Sequence, residues 1–312
     1  MRSVICQSAK RRRSGARVGA PPLRTLTYDA AHPQEFLDLY AASPFGQESQ
    51  FDLLAALLEG EKLGQTEKTD FVCLLSGATE LLGYETGGRH PLMRQMMLHF
   101  DRNIEALLAR LSRTPGDANF AFVLAGGHGA PPDPGDEARS RLAVKGETVA
   151  QTVDKWLSGA SAGRVRRYLY PFLYLDPIVS RDPEAVRKAA GRAAMVHLAV
   201  AGYYTADGYC SSHDAWELRF RNSFHPKRSG DLIVSYKPEY VEYYAEGRGI
   251  SYGSLYNYDV RVPLFLYGPQ FRAGVYDAPV ESTDVAPTLA RLIGVDVPSS
   301  ATGRVLAEAF VP

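Results

Sequence analysis

Short continuous apolar runs alternate with amphipathic stretches along this chain, the pattern of a sheet covered by helices. FVCLLS at 71–76 and FAFVLAGG at 120–127 are uninterrupted apolar runs ending in small residues, as buried strands are. Between them, PLMRQMMLHFDRNIEALLARL at 91–111 repeats apolar residues at helical spacing. Together they predict a strand–helix–strand unit, parallel and right-handed. Met93, Met96 and Met97 in that helix read as core filler and not as a ligand set. DLIVSY at 231–236 and VPLFLYG at 262–268 predict further strands. Thr283 or Asp284 can cap a helix running to about 293, with Pro287 in its first turn and Gly294 as its stop. APPDPGDEAR at 130–139 reads as a surface loop, and about 140–222 as an inserted cap of helices over the sheet edge.

Composition narrows the class only a little. A chain of 312 residues with 45% hydrophobic content can bury a large core, and its formal net charge of zero argues against bulk binding to nucleic acid or a membrane surface. Cys6, Cys73 and Cys210 are scattered without metal-ligand spacing and suggest no disulfide framework. No apolar run reaches the ~18–20 residues of a membrane helix, and the basic start MRSVICQSAKRRRSGAR is not followed by the apolar core of a secretory signal. A cytoplasmic location is the default expectation. Residues 1–30 read as a basic, flexible segment, with Lys10, Arg11, Arg12, Arg13 and Arg17 as solvated charges.

The richest stretch is YGSLYNYDVRVPLFLYGP at 252–269. Other blocks accompany it: SPFG at 43–46, EKLG at 61–64, TDFVCLLSGATELLGY at 69–84, FVLAGGHG at 122–129 and YLYPFLYLD at 168–176. SFHPKRSGDLIVSYKP at 223–238, STDVAPTLARLIG at 282–294 and GRVL at 303–306 follow in order. The chain resembles the alkaline phosphatase superfamily, in the branch of secreted phosphate monoesterases close to the type I phosphodiesterase/nucleotide pyrophosphatases. The resemblance spans roughly 40–312. It implies an alkaline-phosphatase-like α/β fold, a mostly parallel sheet with helices on both faces, making 31–312 a partial domain of that kind. The match begins partway through the family pattern: the first strand, with its metal aspartate, and the helix start bearing the nucleophilic threonine or serine are not visible. Relatives are commonly exported, so the missing signal is a departure from the family.

The resemblance also implies a site, and there the chain departs from the family. Active relatives hold two zinc ions with aspartates and histidines, and the metals polarise the phosphoryl group and stabilise the leaving oxygen. The family's T-D-x-x-G-H reads here as Thr79-Glu80-Leu81-Leu82-Gly83-Tyr84, which places Glu80 at an aspartate position and Tyr84 at a histidine position. A phenol keeps its proton near neutrality unless something removes it, and is a poor substitute for imidazole. The family's D-H-G reads Gly127-His128-Gly129, and Tyr252 replaces the last histidine. His128 alone is unchanged. VICQSAKRR at 4–12 has the outline of the family's phosphate clamp S-x-K-x-R, which would make Lys10 and Arg12 phosphate-binding residues.

These positions support three expectations. The first is a degenerate family member without phosphatase turnover. The second is a metal-dependent phosphoesterase, acting on monoesters, diesters or nucleotide pyrophosphates, with an altered zinc site around Glu80 and His128. The third is a non-catalytic phosphate- or partner-binding module using Lys10 and Arg12. A sheet lacking its first strand would also expose an edge, which predicts self-association or a partner that covers it.

Overall fold

The computed structural model describes residues 3–6, 24–131, 142–161, 163–176, 180–211, 214–242 and 251–311. In chain order its elements are β1 (Ser3–Cys6), β2 (Arg24–Thr27), α1 (Pro33–Ala41), α2 (Pro44–Gly60), α3 (Ala78–Thr86), α4 (Pro91–Leu111) and β3 (Phe122–Ala125). Then follow β4 (Ala143–Val144), α5 (Gly146–Gly159), β5 (Val165–Leu169), β6 (Phe172–Leu175), α6 (Pro183–Ala194), β7 (Val200–Thr205) and α7 (Asp214–Ser223). β8 (Leu232–Tyr236), β9 (Val241–Glu242), α8 (Asn257–Val260), β10 (Leu264–Tyr267) and α9 (Val285–Ile293) complete the set. The chain divides into two compact units, Met1–His128 with Val262–Pro312, and Gly129–Arg261.

In the first unit the helices begin where the sequence supplies caps. Ser43 accepts the Gly46 N–H at 3.3 Å ahead of Pro44, and His90 Nδ1 accepts the Leu92 N–H at 3.2 Å ahead of Pro91, each proline sitting where a missing N–H is tolerated. Ala78 and Leu82, one turn apart on α3, are buried with Ala42 and with Leu92 and Met96 of α4, and Met93 packs against this cluster. Met93 and Met96 thus do fill core, whereas Met97 is 49% exposed and does not. α9 ends at Gly294 in the left-handed conformation (φ 73°), and Asp284 at its head accepts N–H groups from Glu281 (2.9 Å) and Arg304 (2.8 Å).

The expected strand at 71–76 does not form. Residues 65–75 are exposed throughout, Phe71 by 59% and Leu75 by 87%, and among the described residues no strand pairs with them. An apolar run becomes a strand only where a neighbouring ladder takes up its backbone groups. The strand–helix–strand unit is therefore absent. β3 pairs antiparallel with β10, from Leu264↔Ala125 to Tyr267↔Phe122. β1 and β2 pair antiparallel as well, from Ser3↔Thr27 to Cys6↔Arg24, within the stretch expected to be a basic tail. The class is mixed α/β as expected, but the described strands pair mostly antiparallel, because the crossover that would bring two parallel strands together lacks its first member. Only β4 and β9, through Ala143↔Val241, are parallel among the described strands.

In the second unit an antiparallel sheet runs β5–β6–β8–β7. Val149, Val153 and Leu157 of α5 and Ala190, Ala193 and Ala194 of α6 form one buried cluster with Leu173, Val200, Leu232 and Val234 of the sheet. Burying each leucine fully contributes about 1.5–3 kcal/mol. The region expected to be a helical cap, 140–222, carries α5, α6 and most of α7 but also β5, β6 and β7, so it contains much of a sheet of its own. The loop expected at 130–139 lies almost entirely outside the described residues.

Candidate functional site

Burial of Ala78 and Leu82 fixes the rotation of α3, and Glu80 and Tyr84, four residues apart, share another face. Glu80 is partly exposed, and its Oε1 lies 3.8 Å from His128 Nε2. Two ligands ~2.1 Å from one tetrahedral metal lie ~3.4 Å apart, so this pair is close to the spacing of a shared ion. Without an ion it is a weak surface contact, charged only when the imidazole is protonated, worth at most about 1 kcal/mol.

β10 sets the loop that carries His128. The Gly126 N–H donates to the Pro263 carbonyl at 3.0 Å, and a Cβ on Gly126 would meet the Val262 Cβ at 2.8 Å. At Gly127 the reverse holds: a Cβ there would meet nothing within 4 Å. The loop thus has room for a side chain at Gly127.

The structure places the sequence-derived positions unequally. Glu80, Tyr84, Gly127 and His128 belong to the first unit, with Glu80 and His128 in contact. Tyr252 belongs to the second, next to Ser251, whose hydroxyl accepts the Glu242 N–H at 3.1 Å and whose N–H donates to the Glu242 carbonyl at 3.0 Å. Lys10 and Arg12 lie outside the described residues. Among the described residues no group of three or more His, Cys, Asp or Glu side chains gathers around a common point. One carboxylate, one imidazole, a phenol and a glycine are not a donor set for two zinc ions.

The aspartates of KRSGD and YNYD serve as anchors. Asp231 accepts the Leu175 N–H at 2.9 Å and Arg187 Nε at 3.0 Å, while Arg187 Nη1 reaches Asp207 at 2.8 Å. The buried Asp259 accepts the Ser254 N–H at 2.8 Å.

One titratable cluster escaped the sequence reading. Glu242, only 4% exposed, accepts hydrogen bonds from the hydroxyls of Tyr168 and of Tyr236, the latter at 2.9 Å, and the two hydroxyls lie 2.8 Å apart. Burial is the main cause that pushes the Glu242 carboxyl up to about 7, with Glu147 adding to it and the two tyrosine hydrogen bonds opposing it. Burial likewise pushes both phenols up, keeping them as neutral donors. Tyr170, Tyr236, Tyr240, Tyr256, Tyr258 and Asp259 line a small adjoining cavity. The only signal in the sequence is the density of tyrosines in 168–174 and 236–258.

Fold and site together define a mixed α/β protein of phosphoesterase-like architecture. No family model matches the chain. It is 24% identical over 283 residues to the alkaline phosphatase PafA of Elizabethkingia meningoseptica, covering 86% of this chain and 51% of that protein. It is 28% identical over 287 residues to the alkaline phosphatase PhoD of Zymomonas mobilis, covering 82% and 48%. The chain spans about half the length of the curated relatives it matches. The crystal structure of wild-type PafA superposes with a TM-score of 0.80 at 21% identity, covering 92% of this chain and 57% of that one. Murine ectonucleotide pyrophosphatase/phosphodiesterase 5 superposes with a TM-score of 0.52 at 15% identity, covering 72% and 54%. The chain is a relative of the alkaline phosphatase superfamily.

Proposed function

We propose that this protein is a phosphoesterase-like scaffold without metal-centred phosphatase turnover. The carrying observation is the pair of loops at Glu80–Tyr84 and Gly126–Gly129. They bring one carboxylate and one imidazole to 3.8 Å but present a phenol and an empty position where relatives of this type carry further ligands. Polarising a phosphoryl group and stabilising its leaving oxygen need ions held by several protein ligands with a position left open to the substrate. Fold alone does not supply that, since function belongs to the site. The relatives' names suggest a phosphate ester as the ancestral substrate.

A second reading has one observation in its favour. The spacing of Glu80 and His128 is near that of two ligands on a single ion, which supports an altered single-metal phosphoesterase. Elemental analysis of purified protein, alongside hydrolysis of p-nitrophenyl phosphate with and without added zinc, separates the two. The proposal expects little bound metal and no turnover above a mock purification. Near-stoichiometric zinc with zinc-dependent turnover, lost in His128→Ala, would refute it and establish the second reading.

A further inference from the structure

Tyr168, Tyr236 and Glu242 come from three strands, β5, β8 and β9, and their oxygens close a triangle. The Tyr168 and Tyr236 hydroxyls are 2.8 Å apart, the Tyr236 hydroxyl is 2.9 Å from Glu242 Oε2, and the Tyr168 hydroxyl is hydrogen-bonded to the same Oε2. Two O–H groups that donate to one oxygen along separate lone-pair directions stand about 4.7 Å apart. At 2.8 Å the two phenols have instead the spacing of a hydrogen bond to each other. Three contacts among three oxygens take three protons. The phenols bring two, which leaves the third to the carboxyl.

We propose that Glu242 holds its own proton within this ring, and that releasing the proton to solvent moves the Tyr236 hydroxyl away from that of Tyr168, towards the adjoining cavity. In the closed ring each oxygen donates once and accepts once. Without the carboxyl proton both phenols donate to the carboxylate, no proton remains between them, and their oxygens repel at 2.8 Å. The two side chains are not equally placed to yield. The Tyr168 ring lies on the backbone at the start of α5, where a Cβ on Gly146 would fall 1.9 Å from Tyr168 Cε1. Tyr236 lines the cavity with Tyr170 and Tyr256, whereas Tyr168 is not among its lining residues. A shift of about 2 Å brings the Tyr236 hydroxyl to the spacing of two donors on one carboxylate.

The groups that face Glu242 set the direction. β5 and β8 supply the two phenols, α5 supplies Glu147, and β4 pairs Val144 with Glu242 itself. The Ser251 hydroxyl accepts the Glu242 N–H. None of these is a cation, and Glu147 disfavours a second negative charge. Lys237 and Asp259 are the charged residues lining the cavity. Burial keeps both phenols protonated, so the carboxyl is the member of the ring that titrates, with a midpoint of about 7. The ring is closed below that midpoint and open above it.

Crystal structures of the wild type at pH 5 and pH 9, either side of that midpoint, read the switch directly. The two hydroxyls are expected 2.8 Å apart at pH 5 and beyond about 4 Å apart at pH 9. In solution, the carbon-13 resonances of ring-labelled Tyr168 and Tyr236, assigned with Tyr168→Phe and Tyr236→Phe, are expected to shift together with a midpoint of about 7. Glu242→Gln is expected to abolish that shift. A separation that is the same at both pH values overturns the proposal. A wild type whose two resonances do not titrate between pH 5 and pH 9 also overturns it, as does a shift that persists in Glu242→Gln and so belongs to another group.

Discussion

Replacing Glu242 with glutamine tests whether burial governs the tyrosine cluster. Glutamine keeps the shape and an oxygen that can accept the Tyr236 and Tyr168 hydroxyls, but it cannot ionise. In the folded protein the Glu242 carboxyl is raised from 4.5 to about 7. At 1.36 kcal/mol per unit, that amounts to about 3 kcal/mol between the fully protonated and fully ionised limits. The sign follows from the raised value: the folded state binds the proton more tightly than the unfolded state. The stability contributed by the protonated carboxyl is therefore complete below about pH 4.5 and is lost as pH rises through about 7. About 2.5 kcal/mol of the change falls between pH 5 and pH 8.

The chain's two tryptophans, Trp156 and Trp216, both lie in the unit Gly129–Arg261 that holds Glu242, so tryptophan fluorescence follows the unfolding of that unit alone. Urea titrations of wild type and Glu242→Gln at steps of pH give the difference in stability, in which every other titrating group cancels. The variant is expected to match wild type at pH 5 within about 1 kcal/mol and to exceed it by about 2–3 kcal/mol at pH 8. A difference that stays flat with pH, or one that moves in favour of wild type as pH rises, refutes the assignment of burial as the dominant cause.

Two further outcomes are expected. Gly127→Asp combined with Tyr84→His places two more donors beside Glu80 and His128, at a position where a Cβ meets nothing within 4 Å, and should create zinc affinity measurable by isothermal titration. Zinc binding no tighter than wild type would mean that these loops do not hold the spacing a metal needs. Leu173→Ala empties a fully buried position in the larger core and should lower the stability of its unit by about 2–5 kcal/mol, read by the same tryptophan fluorescence. A loss below about 1 kcal/mol would mean that the surrounding side chains collapse into the space.

Elements defined by local rules were legible in the sequence. The helix at 91–111 was readable because its apolar spacing is a local pattern, and Gly294 ended α9 for a reason equally local. The run at 71–76 was misread because its fate depends on a partner strand that no local pattern encodes. The same limit hid the direction of pairing at β3, whose neighbour β10 lies far along the chain. The candidate positions Glu80, Tyr84, Gly127, His128 and Tyr252 came from motif order, and motif order cannot say which of them meet. Glu242 left no mark beyond the density of tyrosines: its perturbation arises mainly from burial, against which the hydrogen bonds of Tyr168 and Tyr236 act, and the fold of β5, β8 and β9 brings these three together.

The support of the two candidate loops does not depend on the residues at the candidate positions. α3 is held by Ala78 and Leu82 against α4, and the loop after β3 by the hydrogen bond from Gly126 to Pro263. Neither restraint involves Glu80, Tyr84, Gly127 or His128. The side chains at the candidate positions project from elements whose places are already fixed by apolar contacts and backbone hydrogen bonds. A substitution at one of these positions therefore alters the chemistry while costing the packing little. Because the support does not depend on these side chains, placing a carboxylate at Gly127 and an imidazole at Tyr84 should act on an unchanged framework. The gain-of-zinc experiment consequently tests the site itself and not the ability of the chain to refold around it.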